Sequence, residues 1–448
     1  MFKSFFKAFS IKEIRNKLLF TFCMLIIIRL GCRIPVPGVN PEVVSAMLTD
    51  LLDFGSGSGL DVVNAFTGGS FLQFSIFALN ITPYITSSII IQLLTIAIPK
   101  LEEMQKDGED GRKKIAAITR YTTVVLAMVE SGVMAIGFGN RVVNGMPFMD
   151  NFNVLSVIVV IVSMTAGSTF LMWLGERINE KGIGNGISIV LVINILSSLP
   201  SDFLFLYEKF IKGQKVAIAV LVAVIIIAIV IGMIVLVIYL SNGTRKIPVQ
   251  YAKKTQGNRL VGASASVIPV RVNTAGVIPI IFASSILQFP AIISGIAQYN
   301  GTGWWSIVLN FLNPNKWFVL NKENWYYTAG LLLYVVLVVV FAYFYTSITF
   351  NPVEIANNLK RQGGFIPGIR PGKPTSDYLN KVLNYIIFIG AIGLIIVAII
   401  PYFFNGLFGA QVSFGGTSII IVVGVIVETV KQVESQMLVR NYKGFLND

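Results

Sequence analysis

VAIAVLVAVIIIAIVIGMIVLVIYL, residues Val216–Leu240, is an uninterrupted apolar stretch without a charged side chain. A helix needs roughly 20 apolar residues to cross a bilayer core of about 30 Å, so this stretch predicts a transmembrane helix. The whole chain agrees with it: of 448 residues, 54% are hydrophobic and only 13% are charged, and the mean hydropathy is +0.75. A protein dissolved in water could not hide that much apolar surface, so the solvent of this fold is lipid.

Apolar windows of this kind recur along the chain and are separated by turn signals. Two of them are weaker than the rest, because Ile183 to Leu199 is short and the first window contains Arg29. Together they predict an all-α polytopic membrane protein with ten transmembrane helices. The predicted helices begin near Leu18, Phe71, Ile115, Val154, Ile183, Val216, Ala275, Tyr326, Val382 and Ser418.

Basic residues fall unequally on the two sides when these helices are threaded through a membrane with the N-terminus inside. Most of the 35 Lys and Arg lie on one side, which predicts that this side is cytoplasmic and carries both termini. Two basic loops there, 241–272 and 351–381, are longer than a turn between helices requires. They could bind anionic headgroups, ribosomal RNA or an acidic protein surface. The opposite side holds only Arg33, Arg141, Lys209, Lys212, Lys215, Lys316 and Lys322.

The sequence offers little for catalysis or metal binding. It contains no histidine, the commonest general base and metal ligand, and its two cysteines, Cys23 and Cys32, belong to one apolar segment. The glycine pattern in KGIGNGIS, residues 181–188, follows a predicted loop rather than a strand, which argues against nucleotide binding. We therefore predict no catalytic residues, no metal and no cofactor, and an energy source outside the chain.

Residues 1–17 combine phenylalanines with lysines and an arginine ahead of the first apolar window. A small-residue cleavage site does not follow that window, so the segment predicts a cytoplasmic amphipathic helix at the membrane surface rather than a signal peptide. A solvated basic tail is the alternative.

LDVVNAFTGG, residues Leu60–Gly69, is apolar enough to enter a bilayer but only about half as long as a crossing requires. The segment is typical of a re-entrant half-helix, which is tolerated at membrane depth where it is buried in protein or lines a cavity. An amphipathic turn outside the membrane would give the same pattern.

Two predicted helices contain unusually many polar residues. The second includes Asn80, Thr86 and Gln92, and the seventh opens with Asn273 and Thr274. Because polar groups are costly in hydrocarbon, these helices are expected to face each other or an aqueous path. Ordinary helix packing through small and hydroxyl residues is an equal alternative.

Longer motifs along nearly the whole chain resemble the SecY family. The resemblance implies ten helices in two inverted five-helix halves, 18–200 and 201–435, around an hourglass pore, followed by a cytoplasmic tail at 436–448. The motifs are RIPVPGVN (33–40), TGGSFLQFSIFALNITPYIT (67–86), FLMWLGERINEKGIGNGISI (170–189), RVNTAGVIPIIFASSILQFP (271–290), FNPVEIANNLKRQGGFIPGIRPGKPT (350–375) and GGTSIIIVVGVIVETVKQVESQMLVRNYKGFL (415–446).

The resemblance also implies the closing parts of the pore. The re-entrant segment would be a plug, and a ring of apolar side chains would form the waist, which excludes water when empty and fits around a passing chain. Leu191 stands where isoleucine is usual but keeps its volume. The plug residues would be Leu60, Asp61, Val62, Val63, Asn64, Ala65, Phe66, Thr67, Gly68 and Gly69; the ring residues would be Ile81, Ile85, Leu191, Ile281, Ile286 and Ile421.

By the same resemblance, the chain would translocate unfolded secretory polypeptides across the bacterial cytoplasmic membrane. It would release transmembrane segments sideways through a lateral gate between the second and third helices on one side and the seventh and eighth on the other. The gate residues would be Thr86, Gln92, Asn273 and Phe289. Residues for docking a motor or ribosome would be Arg245, Lys246, Lys253, Lys254, Arg259, Arg361 and Arg370, with Lys246 where arginine is usual.

The partners implied are SecE-like and SecG-like small membrane subunits, the motor ATPase SecA, the ribosome, polypeptides that carry a signal sequence, and anionic lipids. An accessory relative serving dedicated substrates is an alternative within the family. A secondary transporter of a small solute would need ionisable groups at the membrane midplane, and apart from Arg29 and Glu130 the helices before the last offer none. An intramembrane enzyme lacks a histidine or a carboxylate pair.

Overall fold

The computed structural model describes residues 9–40, 43–44, 67–143, 145–149, 151–212, 216–251, 254–256, 259–261, 265–296, 303–313, 317, 327–408 and 416–444. Helices dominate these residues. They are α1 (Lys12–Gly31), α2 (Thr82–Ala97), α3 (Pro99–Lys106), α4 (Gly108–Gly139), α5 (Val154–Lys181), α6 (Gly186–Phe210), α7 (Val216–Asn242), α8 (Ile278–Ile296), α9 (Trp304–Leu312), α10 (Thr328–Thr349), α11 (Pro352–Arg361), α12 (Lys373–Phe408) and α13 (Gly416–Gly444).

Each predicted transmembrane window overlaps one of the long helices, namely α1, α2, α4, α5, α6, α7, α8, α10, α12 and α13. By length and hydropathy, five helical stretches of the described residues could cross a membrane, or six if the bent pair α2 and α3 counts as one. Helix α6 is apolar over a shorter stretch, Gly186–Pro200, which agrees with the weak prediction for this window. The chain is therefore a multi-pass helical membrane protein.

The window predicted from Phe71 is helical only from Thr82. Residues 67–81 form linked turns instead, and two of them, Phe74 (φ 43°) and Asn80 (φ 52°), adopt the left-handed conformation that interrupts a helix. Pro83 then lies in the first turn of α2, where its missing N–H costs nothing.

Helix α2 ends where Pro99 begins α3. The residue before it, Ile98, is extended (φ −110°, ψ 110°), as the ring of a following proline requires. The axes of α2 and α3 consequently differ by 104°. Helix α3 thus turns away from the direction of α2 and leads into α4.

The two long loops fold into a small mixed structure that apolar periodicity did not predict. Strands β3 (Thr244–Tyr251) and β6 (Ala265–Arg271) of the first loop pair antiparallel, with Ile247 opposite Ile268. Strand β7 (Gly364–Phe365) of the second loop adds to the other edge of β3 and gives the order β6-β3-β7, which we call the loop sheet. A further hairpin joins β4 (Lys254–Gln256) and β5 (Arg259–Val261), and a two-residue pair, β1 (Val142–Val143) and β2 (Met146–Pro147), follows α4.

The loop sheet is fastened to the helices by its apolar face. Ile247 and Val249 of β3 are buried, and they belong to one core cluster with Leu379 and Leu383 of α12. Helix α12 begins at Lys373, so the second loop is shorter than the predicted 351–381 and its last residues are helical. We call this end of the bundle the loop end.

The two largest core clusters lie on either side of the bundle. One lies between α4, α5 and the turns at residues 71–79, and the other lies between α7, α8, α10, α12 and α13 and includes Leu206 of α6. The halves meet where α6 contacts α13 and where α4 contacts α8. A third cluster draws residues from both halves and lies at the first of these contacts.

Candidate pore site

The shared core, here called the central cluster, contains four of the six predicted ring residues. Its buried members are Ile178, Ile189, Leu191, Val192, Ile195, Ile421 and Val425, and the half-buried Met24, Leu25, Ile85, Val277, Ile281 and Val422 pack against it. Leu191 and Ile421 are 8% and 1% exposed, so α6 and α13 meet through closely packed aliphatic side chains. Ile85 from α2 and Ile281 from α8 complete the contact.

Ile81 lies in a neighbouring cluster with Ile28 and Leu171, and Ile85 packs against both clusters. Ile81 is fully buried, directly before the first residue of α2. Ile286 lies elsewhere, because its side chain is 50% exposed. Five residues along a helix rotate a side chain by about 140° relative to Ile281, so α8 cannot present both residues to the same point.

A polar network, which we call the root network, ties residues 67–81 to the neighbouring helices. Asn194 of α6 donates its Nδ2 to Oδ1 of Asn80 at 3.0 Å. Ser168 of α5 donates its hydroxyl to the Asn80 carbonyl, also at 3.0 Å. Since Asn80 is 1% exposed, these bonds give its buried polar groups hydrogen-bond partners inside the protein.

The root network continues to Gly68, the residue before the last predicted plug residue. The Gly68 carbonyl accepts from Ser197 Oγ of α6 at 3.3 Å and from Arg29 Nη1 of α1 at 3.4 Å. A Cβ atom on Gly68 would lie 2.6 Å from Ser197 Oγ and 2.8 Å from the Asn194 carbonyl oxygen, so only glycine fits. Its φ of +62° is also a conformation that glycine adopts without strain.

From the sequence, Arg29 was noted only as a charge inside the first apolar window, and its role in the root network was missed. The available signal was its position, because an ionisable residue inside an apolar helix usually has a specific partner. Its partner is a backbone carbonyl, which no sequence pattern marks.

The predicted plug is only partly described. Leu60 to Phe66 lie outside the described residues. Thr67 is buried, its carbonyl accepts from Ser70 Oγ at 2.8 Å, and its own hydroxyl accepts from the Phe71 N–H at 3.3 Å. The end of the predicted plug is therefore fixed to the turns that follow it.

The predicted gate residues make local contacts. Thr86 Oγ1 donates to the Thr82 carbonyl at 3.0 Å, and the Gln92 carbonyl accepts from Thr95 Oγ1 at 2.6 Å. Asn273 lines a small cavity together with Thr346 of α10 and Ala391 of α12. The structure therefore places Asn273 within the second half, against α10 and α12, and the side chain of Phe289 lies outside the described residues. The halves face each other on this side where α4 contacts α8.

The predicted docking residues lie at the loop end. Arg245 and Lys246 on β3, Arg361 at the end of α11 and Arg370 in the following turn are exposed. The Arg370 carbonyl accepts from Thr375 Oγ1 at 2.9 Å, which fixes this turn against the start of α12. Lys254 and Arg259 occupy the β4–β5 hairpin, and Lys253 lies outside the described residues.

Both cysteines are free, Cys23 exposed and Cys32 buried. Within the described ranges, His, Cys, Asp and Glu side chains form no group that could hold a metal ion.

A helical bundle in two halves that meet through a cluster of aliphatic side chains has the architecture of a polytopic membrane channel. The family model for SecY matches residues 75–430. The protein translocase subunit SecY of Bacillus subtilis (strain 168) is 43% identical over 454 residues, with 100% of both chains covered. The chain belongs to the SecY family, and the resemblance read from its motifs is confirmed.

Solved structures have the same fold. One is a SecY protein whose plug domain stabilises the closed state of the translocation channel and maintains a membrane seal; its TM-score is 0.61 at 17% identity, covering 95% of this chain and 92% of that one. Another is Sec61 in the canine ribosome-channel complex from the endoplasmic reticulum, with a TM-score of 0.57 at 15% identity, covering 95% and 94%. The predicted all-α polytopic architecture is confirmed.

Proposed function

We propose that this chain is a protein-conducting channel that moves unfolded polypeptides across a membrane and releases apolar segments sideways into lipid. The observation that carries the proposal is the central cluster. It lies at the junction of the two halves, and both halves contribute to it. An aliphatic constriction at such a junction can exclude water at rest and can widen without breaking any hydrogen bond.

Closure of the channel rests on two parts. The waist is a ring of aliphatic side chains, and Ile286 joins this ring only if α8 rotates or shifts. The ring residues are Ile81, Ile85, Leu191, Ile281, Ile286 and Ile421. Residues 60–69 form the plug, and the root network supports this role because it binds Gly68, near the end of this segment, to α1 and α6. The plug domain of a solved SecY protein with the same fold maintains a membrane seal.

Sideways release takes place where α4 contacts α8. These helices belong to different halves, whereas α2 packs on α4 and α8 packs on α10 within their own halves. Opening therefore separates α2 and α4 as one unit from α8 and α10 as another. Thr86, Gln92, Asn273 and Phe289 lie on or beside these units and give the seam its mixed polarity.

The loop end is the docking surface for an external motor. The loop sheet joins the two loops, because β3 carries Arg245 and Lys246 at its start and pairs through Gln250 and Tyr251 at its end with β7 of the loop that carries Arg361 and Arg370. A ribosome is bound by the canine Sec61 of the same fold. We infer that the ribosome or a SecA motor docks here, and that SecE-like and SecG-like subunits and anionic lipids surround the helices. This places the loop end and both termini in the cytoplasm of a bacterium.

Charge reversal at the docking surface tests this function. Arg370→Glu should reduce translocation of a secretory precursor into proteoliposomes by more than tenfold, because the exposed Arg370 lies on the proposed docking surface and its charge would be reversed. Lys381→Glu, an equal charge change at an exposed position of α12, should retain translocation. Equal translocation by both variants, or equal loss in both, would contradict a docking role for Arg370.

Orientation is tested with single cysteines in a Cys23→Ser, Cys32→Ser background. Arg361→Cys at the loop end should react with an impermeant thiol reagent only from the cytoplasm. Met146→Cys, on the exposed β1–β2 turn after α4, should react only from outside. Reversed labelling would overturn the assigned orientation and leave the fold unaffected.

A further inference from the structure

The glycine-rich segment that does not fit a nucleotide site forms a tight turn, residues 182–186, between α5 and α6. Its backbone amides are bound by side chains from three different helices. The Gly184 N–H donates to Gln432 Oε1 of α13 at 2.7 Å. The Gly186 N–H donates to Asn179 Oδ1 of α5 at 2.7 Å, and the Ile183 N–H donates to Thr21 Oγ1 of α1 at 3.2 Å.

The turn needs its glycines for room as well as for conformation. Gly184 has a φ of +90°, and a Cβ atom there would lie 2.6 Å from Ile189 Cδ1 and 3.0 Å from Thr429 Oγ1. A Cβ on Gly186 would collide with the Gly175 carbonyl of α5. Helices α5 and α13 therefore approach the turn closely, and its amides face protein side chains rather than a phosphate-sized space.

The last turns of α13 connect this glycine turn to the second half. Val433 is 1% exposed and packs with Ile14 of α1 and Ile183 of the turn. Lys431 Nζ donates to the Ser241 carbonyl at 3.4 Å, and Ser241 lies in the final turn of α7, just before strand β3 of the loop sheet. Consecutive residues of α13 thus contact the first half and the base of the docking surface.

The α6–α13 and α4–α8 contacts between the halves differ in kind. Where α6 meets α13, the central cluster is reinforced by the Gly184–Gln432 bond at the loop end. Where α4 meets α8, we have placed the opening seam. If the two halves separate as rigid bodies along the α4–α8 seam, they rotate about the α6–α13 contact on the other side. A directional hydrogen bond at the α6–α13 contact fixes the position of this rotation axis.

We propose that Gln432 is a positioning residue for translocation: by binding the Gly184 amide, it fixes the loop end of the α6–α13 contact as the axis about which the halves turn. Helix α6 begins at Gly186 and carries Leu191, and α13 carries Ile421. A fixed axis keeps these two ring residues opposed while the seam opens. The proposal rests on the channel function proposed above.

The first experiment measures the bond without any transport. Hydrogen exchange is followed by mass spectrometry on a peptide spanning 182–190 of the purified protein. Gln432→Met removes the acceptor at similar size and should accelerate exchange of this peptide about fivefold at one amide. Gln432→Glu keeps an acceptor oxygen and should restore slow exchange. Gln436→Met and Gln436→Glu, one helical turn further along α13, control for general fraying and for added charge.

The second experiment measures resting ion conductance in planar bilayers and precursor translocation for the same four variants. Gln432→Met should raise resting conductance severalfold and reduce translocation, while Gln432→Glu and both Gln436 variants should behave as the unmodified chain. Unchanged exchange in Gln432→Met would overturn the bond. Accelerated exchange with normal conductance and translocation would mean that the Gln432–Gly184 bond only holds the turn in place, and would overturn its proposed role in fixing the rotation axis. Failure of the unmodified chain to translocate would overturn the channel function instead, and the exchange result would still stand.

Discussion

Helix α6 takes part in two contacts of opposite chemistry within two turns of its length. Leu191 packs in the central cluster through aliphatic contacts alone, whereas Asn194 and Ser197 hold residues 67–81 through hydrogen bonds. Aliphatic contacts have no direction, so they can be exchanged for contacts with a passing chain at little cost. Hydrogen bonds among buried groups allow one arrangement only. In the proposed channel, the side chains of the central cluster therefore rearrange around a passing chain, while the root network stays fixed beside them.

The largest effect is expected from a polar group inside the central cluster. Ile421→Ser should hydrate the constriction and raise resting ion conductance in planar bilayers by roughly tenfold or more, because a dry aliphatic gate closes by excluding water. Ile426→Ser on the same helix, where the native side chain is 49% exposed, is the matched control and should not leak. Equal conductance in the two variants would mean that Ile421 is an ordinary core residue.

The next effect tests the rigidity of the root network. Gly68→Ala combines backbone strain with a collision against Ser197, and should lower the free energy of unfolding by about 2 kcal/mol or more. Gly69→Ala has a similar φ of +83° but open space around its Cβ, so it should cost only the strain. Thermal unfolding in detergent measures both. If Gly69→Ala lowered the free energy of unfolding as much as Gly68→Ala, the close approach of Ser197 to Gly68 would not explain the effect of Gly68→Ala.

A smaller loss is expected from removing one hydrogen-bond partner. Asn194→Leu removes the hydrogen bond from Asn194 Nδ2 to Asn80 Oδ1 and should cost about 1 to 3 kcal/mol of unfolding free energy. In an Asn80→Gly background, which keeps the left-handed backbone and removes the carboxamide, the same substitution should cost less. A double-mutant cycle on thermal unfolding gives the coupling energy, and a coupling of zero would contradict the network.

The smallest effect should come from reshaping the central cluster without changing its volume. Leu191→Ile should alter unfolding free energy by less than about 1.5 kcal/mol and leave resting conductance within about twofold. Leu191→Ala, which leaves a cavity, should cost about 2 to 5 kcal/mol. If Leu191→Ile leaked as strongly as Leu191→Ala, the constriction would depend on exact shape and the contrast with the root network would fail.

The helices themselves could be predicted because long apolar windows have few alternatives in lipid. The turns at 67–81 could not be predicted from the sequence. Phe74 and Asn80 adopt left-handed conformations there, and their carbonyls accept hydrogen bonds from Val36 and Ser168, which no local pattern shows. Of the six ring residues implied by the family resemblance, four lie in one cluster, Ile81 lies in the neighbouring cluster, and Ile286 lies elsewhere because its place depends on the rotation of α8. The glycine turn was noticed for its spacing, yet its partner Gln432 lies far along the chain and carries no signal of its own.

The pairing of β7 with β3 has a thermodynamic consequence for any partner that binds at the loop end. Two free loops would each lose conformational entropy on being bound, and each would need its own compensating contacts. Joined in one sheet and buried against α12, they have lost that freedom during folding. Once a partner has bound the first loop, the second loop is already close to it at a high effective concentration. Weak contacts to each loop can therefore combine into high affinity. A peptide copied from either loop alone would lack this advantage and compete poorly.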